Sequence, residues 1–133
     1  MKKIISSEKA PKAIGPYSQA VEANGMLFIS GQLPVNPKTG KVVEGGIREQ
    51  TLQVLKNIGA ILNEAGYKYE DVIKSTCMLS DMANFKDMNE AYGSFYSENP
   101  PARVAFAVKD LPLGVMIEIE TIAVHSDRQQ GNT

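Results

Sequence analysis

The chain carries one cysteine, one histidine and no tryptophan in 133 residues. The lone Cys77 cannot form an internal disulfide, and it fits a reducing, intracellular setting. One His and one Cys cannot build a zinc-type ligand cluster, so no metal is expected. A Ser-His-Asp triad would have to recruit His125 from beyond the last apolar strand, and no nucleophile elbow exists to receive it; His125 reads as a surface residue. Gly45-Gly46 matches neither P-loop nor Rossmann spacing, which removes phosphate-cradling loops. No apolar run approaches the ~20 residues needed to span a bilayer. Lys2 and Lys3 are followed by no long apolar stretch, so the start does not read as a secretory signal. An excess of either charge is also missing. The net charge is −1 and the pI about 5.8, which gives no reason to expect a nucleic-acid or membrane partner. A cytoplasmic protein is the expectation.

What is present is a globular composition, 43% hydrophobic, in a length suited to a single domain over 1–133 with a polar tail from about 126. Two segments dominate. Residues 101–108 and 115–122 both alternate with period two and read as strands, joined by a connector carrying Pro112 and Gly114. If they form an antiparallel pair with Val108 opposite Val115, Ala105 faces Glu118 and Arg103 faces Glu120. Those four residues would then share one face, with Ile117, Ile119, Val104 and Phe106 on the other. A cation and two carboxylates would lie close together. A plain cross-strand ion pair on a solvated sheet accounts for that spacing as well as a site does.

The rest of the chain supplies the frame. A short edge strand is read over 2–6. Gly15-Pro16 turns the chain and places Tyr17 at the head of a strand over 17–23. Asn24-Gly25 predicts a tight hairpin into a strand over 26–30. A long Gly- and Pro-rich loop over 31–40 follows, either a functional loop or a surface connector. Leu52, Leu55, Ile58, Ile61, Leu62 and Ala65 recur at helical steps, so 47–65 is a helix ended by Gly66. Residues 69–79 read as a strand in which Cys77 is a buried structural thiol, because nothing basic in the local sequence would lower its pKa. Asn84 is placed to cap a second helix to about Tyr96, which Pro100 and Pro101 stop.

This order predicts an α+β fold: a mixed β-sheet with two helices packed on one face, since right-handed crossovers put both helices on the same side. The last strand carries apolar groups on both faces, with Met116, Ile122 and Val124 opposite Ile117 and Ile119. A bare apolar sheet face asks for a partner, so a closed homo-oligomer is expected.

With these residues in place, the chain resembles the Rid (YjgF) family of reactive-intermediate imine/enamine deaminases, from about Ser7 to Val124. Four segments carry the likeness: 13–20 (Ala-Ile-Gly-Pro-Tyr-Ser-Gln-Ala), 29–37 (Ile-Ser-Gly-Gln-Leu-Pro-Val-Asn-Pro), Pro101-Ala102-Arg103, and 117–123 (Ile-Glu-Ile-Glu-Thr-Ile-Ala). Each alone is weak; all four in order are specific. The resemblance implies a chorismate-mutase-like homotrimer with sheets inward, helices outside and sites in the clefts between subunits. It implies hydrolysis of 2-imino acids such as 2-iminobutanoate and 2-iminopropanoate to 2-oxo acids and ammonia, without metal or organic cofactor.

By the same resemblance, Arg103 grips the substrate carboxylate, which its planar fork can do with two parallel hydrogen bonds. Glu118 holds or activates the attacking water, and Tyr17 closes the pocket. Backbone groups of Ser30, Gly31 and Ala105 line it, Phe85 adds an apolar wall from a neighbouring subunit, and Glu120 is structural, paired within the sheet or the interface. Many members carry a cysteine where this chain has Ala105, so a thiol-dependent role is impossible here and substrate preference is open to change. Two other readings stand beside the deaminase. One is a non-catalytic sensor binding a small carboxylate such as a 2-oxo acid. The other is an RNA-cleaving or translation-inhibiting protein, a label some relatives carry, against which the acidic pI argues.

Overall fold

Asn24 and Gly25 both take positive φ (53° and 73°), the pair of conformations a two-residue type I′ turn needs. In the computed structural model, which describes residues 1–125, this turn joins two strands near the start of the chain. In chain order the strands are β1 (Lys3–Ile5), β2 (Ala20–Ala23), β3 (Met26–Gln32), β4 (Val35–Asn36), β5 (Lys41–Val42), β6 (Val72–Leu79), β7 (Ala102–Ala107) and β8 (Ile117–Val124). The helices are α1 (Ile47–Glu64) and α2 (Phe85–Gly93). The tail read as polar from about 126 lies outside the described residues.

Six strands form one sheet in the order β1-β2-β3-β8-β6-β7, with β6 and β7 parallel and every other neighbour antiparallel. The sheet is mixed and two helices pack on it, as expected. Val54, Leu55, Ile58, Ile61 and Leu62 of α1 are fully buried with Leu27, Cys77, Leu79, Ile117 and Ile119 of the sheet, and Met88 of α2 joins them. Arg48 of α1 ties the two helices across their surface by pairing with Asp87 and Glu90 of α2. Gly66 ends the helical segment in the left-handed conformation (φ +82°), where a side chain would be strained.

One expectation fails, and it matters for the site. β7 and β8 are not a hairpin. β6 lies between them, and β8 fills the gap between β3 and β6. Arg103 is opposite Ser75 and Ala105 opposite Cys77, where Glu120 and Glu118 were expected; those glutamates oppose Thr76 and Met78. Opposed residues share a face, so Arg103 and Ala105 point to the helix side with Ile117 and Ile119, while Glu118 and Glu120 point to the open side with Val104 and Phe106. The connector 109–114 does reverse the chain, with positive φ at Leu113 and Gly114 (59° and 66°). But α2 has already carried the chain across, so β7 joins the sheet at its edge, parallel to β6.

Smaller differences follow local chemistry. Residues 69–71 form a short 3-10 turn before β6. Asn84 sits at the start of α2 without a side-chain capping bond; Asp81 instead caps the 3-10 turn Met82–Asn84 that leads into α2, accepting from the Ala83 N–H at 2.9 Å. α2 ends at Gly93, short of Tyr96. The 31–40 loop contains β4, which pairs with β5 just beyond it in a small hairpin. His125 is half-buried, edge-on to Tyr67 with ring centroids 4.7 Å apart.

Beside Glu118 and Glu120, the open side of the sheet carries an exposed apolar patch. Ile4, Phe28, Val104 and Phe106 are 53%, 43%, 47% and 41% exposed on it, with Val21 and Ile122 between them. No helix among the described residues is long and apolar enough to cross a membrane.

Candidate active site

The sequence-predicted residues fall into two groups. The first gathers around the end of β3. Tyr17 is not the head of a strand: it sits in the turn before β2, half exposed, its N–H donating to the Gly15 carbonyl at 2.8 Å. The Ser30 hydroxyl donates to the Ser18 carbonyl at 2.6 Å and its N–H to the Gln19 carbonyl at 2.9 Å, which clamps this turn to β3. The ladder between β3 and β8 is irregular between Ile29 and Gln32, and this irregularity aims Gly31 at Glu118. A Cβ at Gly31 would collide with the Glu118 carboxylate, so only glycine admits that side chain in its place. A crystal structure of Gly31→Ala is expected to show the Glu118 carboxylate displaced, with wild-type circular dichroism.

Glu118 is half-buried, and its carboxyl is raised from the ordinary range, first by burial and then by the nearby Glu120. Both causes penalise the charged form, which moves the group toward a proton-transfer role. Glu120 is exposed, and no basic group of its own chain pairs with it among the described residues. Beside Tyr17 and Gly31 opens a cleft of about 440 Å³, with Ile14, Leu33, Val35 and Leu113 among its lining.

The second group lies at the far edge of the sheet, on its helix side. The Arg103 guanidinium stands over the ring of Tyr92 at 4.9 Å and of Phe85 at 5.6 Å, both on α2 of the same chain. Phe85 thus contacts the arginine of its own subunit. No acidic side chain pairs with Arg103 among the described residues. Ala105, half-buried, neighbours the fully buried Cys77. Arg103 acts to lower the thiol pKa, but burial dominates and pushes it up to about 11, so the inert reading of this thiol stands.

Within one chain the two groups do not meet. Arg103 and Glu118 are two strands and three residue steps apart, on the order of 14 Å between backbones, and leave the sheet on opposite faces.

Three buried amides that sequence reasoning missed hold the first group in place. Gln19 accepts from the Ser7 N–H (2.6 Å) and donates to the Ser7 and Pro11 carbonyls (3.1 and 2.8 Å), which pins the N-terminal segment over the cleft. Asn57 of α1 donates to the carbonyls of Leu33 and Val35 (3.1 and 3.0 Å). Gln50 accepts from the Met116 N–H at 2.8 Å, just before β8. The available signal was a polar residue on an otherwise apolar face: Gln50 and Asn57 share the buried stripe of α1.

This is an α+β scaffold with Tyr17, Gly31 and Glu118 beside the central strands β3 and β8, and Arg103 on the edge strand β7 facing the other side. The profile of the family described as endoribonuclease L-PSP matches residues 7–125. A RutC family protein of Pyrococcus horikoshii is 57% identical over 123 residues, 92% of this chain and 98% of that protein. The 2-iminobutanoate/2-iminopropanoate deaminase of Mus musculus is 47% identical over 124 residues, 93% of this chain and 92% of that protein. The crystal structure of E. coli TdcF with bound serine superposes with a TM-score of 0.89 at 41% identity, covering 93% of this chain and 99% of that one. The chain belongs to this family, the Rid (YjgF) proteins.

Proposed function

We propose that the protein hydrolyses 2-imino acids such as 2-iminobutanoate and 2-iminopropanoate to 2-oxo acids and ammonia, in the cytoplasm, at sites shared between subunits of a homotrimer. The observation that carries this reading is the Arg103 guanidinium, held by aromatic rings with no described acidic partner, in a chain 47% identical to a protein named for that activity. A substrate of a few heavy atoms cannot bridge about 14 Å and two faces of one sheet. It can touch both groups if Arg103 of one copy meets Tyr17, Gly31 and Glu118 of the next. The exposed apolar sheet face supports such an assembly.

The chemistry needs little machinery. Arg103 binds the carboxylate and orients the iminium carbon. Glu118 takes a proton from water as its oxygen bonds to that carbon. The carbinolamine then collapses: Glu118 gives that proton to the nitrogen, the C–N bond breaks as the carboxylate takes the hydroxyl proton, ammonia and a 2-oxo acid leave, and solvent removes the proton from Glu118. The serine bound to TdcF favours one second reading, a sensor that binds a small carboxylate without turnover. The endoribonuclease description of the family gains nothing from a net charge of −1.

Subunit mixing tests the shared site. Arg103→Ala and Glu118→Gln chains, each inactive alone, are unfolded together and refolded. If each site draws Arg103 and Glu118 from different copies, random assembly restores about a quarter of the sites. No recovered activity in mixed trimers, or a stable 14.5 kDa monomer by light scattering, would contradict the proposal.

A further inference from the structure

We infer that Tyr92 is a positioning residue that holds the Arg103 guanidinium in place for a substrate carboxylate, an inference that rests on the deaminase reading for the identity of that carboxylate. Arg103 stands on an edge strand, where a long side chain would otherwise sample many rotamers. Phe85 and Tyr92 are seven residues apart on α2, two turns along one face, and the guanidinium stands over both rings. The ring of Tyr92 is nearer, and it is fixed from behind. It is 5% exposed, lies 4.8 Å from the Tyr96 ring, and Tyr96 packs edge-on to Tyr69, whose hydroxyl donates to the Leu55 carbonyl of α1 at 2.7 Å. Phe85 is only half-buried, so Tyr92 is the rigid side of the clamp.

An aromatic partner suits this task better than an acidic one. A carboxylate would occupy the in-plane N–H fork that the substrate must use. A ring engages the face of the guanidinium and leaves its edge donors free. The buried hydroxyl of Tyr92 approaches that of Ser75, the β6 residue opposite Arg103, but neither makes a hydrogen bond of normal geometry. The ring, not the hydroxyl, therefore does the holding, and phenylalanine should serve equally well.

The test compares Tyr92→Phe, Tyr92→Leu and Phe85→Leu. A residue that orients the carboxylate grip acts on ground and transition states alike, so its loss raises KM and spares kcat. Tyr92→Leu is expected to raise KM for 2-iminobutanoate, and Kd for 2-oxobutanoate, about tenfold, with kcat within about twofold. Phe85→Leu, at a half-buried position that tolerates the change, moves both the same way, and Tyr92→Phe keeps wild-type values.

A purely structural role predicts instead a lower active fraction, hence lower kcat at unchanged KM. A second readout needs no substrate. The Arg103 side-chain Nε–H resonance should be shifted upfield by the rings in wild type and Tyr92→Phe, and should move toward that of exposed Arg48 in Tyr92→Leu. Tyr92→Leu with unchanged KM and an unmoved resonance would overturn the inference, as would Tyr92→Phe behaving like Tyr92→Leu. A wild type that shows the shifted resonance but no imine turnover would sink the deaminase reading and leave the clamp standing.

Discussion

Arg103→Lys keeps the charge and is nonetheless expected to lose most of the activity. Lysine offers a point charge in place of a planar fork, so the second parallel hydrogen bond to the carboxylate disappears. Its compact, strongly hydrated ammonium also lacks the flat face that stands over Tyr92 at 4.9 Å and Phe85 at 5.6 Å. The expected result is an increase in KM of about 10–100-fold for Lys and a loss in kcat/KM of about 10²–10³-fold for Ala, the scale of removing one partner of a hydrogen-bonded charge pair. Steady-state kinetics on 2-iminobutanoate measures this, with light scattering to show that the assembly persists. Wild-type kinetics in Arg103→Lys would mean that the guanidinium geometry is irrelevant and that another group binds the carboxylate.

Glu118→Gln makes the complementary prediction. The amide occupies the same space over Gly31 but cannot take a proton from water. Turnover should fall about 10²–10⁴-fold while 2-oxobutanoate binding, measured by calorimetry, stays within about twofold. This separation also divides enzyme from sensor, because a sensor has no turnover to lose. The pH profile follows from the causes of the raised carboxyl. Burial acts first and Glu120 second, so activity rises with pH through the raised pKa of Glu118, and Glu120→Gln shifts that rise to lower pH.

Stability runs the other way. The folded-state pKa of Glu118 lies above its unfolded value, so its contribution to stability is fully present below the unfolded value and is lost as pH rises through the folded one. An uncharged Glu118→Gln chain escapes that loss, and its thermal midpoint at neutral pH should not fall below wild type. A lower midpoint would show that the charged form is stabilised by a partner.

Features set by local chemistry are legible in the amino-acid sequence. The Asn24-Gly25 turn, the apolar stripe of α1 and its stop at Gly66 depend on neighbours within a few residues, and each is where the residues place it. The strand partner of β7 is not legible, because Pro112 and Gly114 specify a reversal but not the neighbour that receives it. The two faces of β8 do hold a clue. Ile117 and Ile119 on one side with Ile122 and Val124 on the other suit a central strand, whereas a strand that follows Pro100-Pro101 suits an edge.

The site shows the same division. The family likeness points to Arg103, Glu118, Tyr17 and Gly31, and the fold brings the last three together. It sends Arg103 to the opposite face and edge, which composition and spacing could not reveal because strand pairing decides it. Tyr92 is hidden for another reason: at helical spacing with Met88 it reads as core, and only the approach of Arg103 from β7 separates it from an ordinary buried aromatic.

The central claim is catalytic, and ammonia release tests it most directly. An amino-acid oxidase or dehydratase generates 2-iminobutanoate in place, and ammonia is followed with and without the protein at substoichiometric amounts. Wild type should accelerate release, and Glu118→Gln should not. Release at the uncatalysed rate in the presence of folded, carboxylate-binding wild type would contradict the claim.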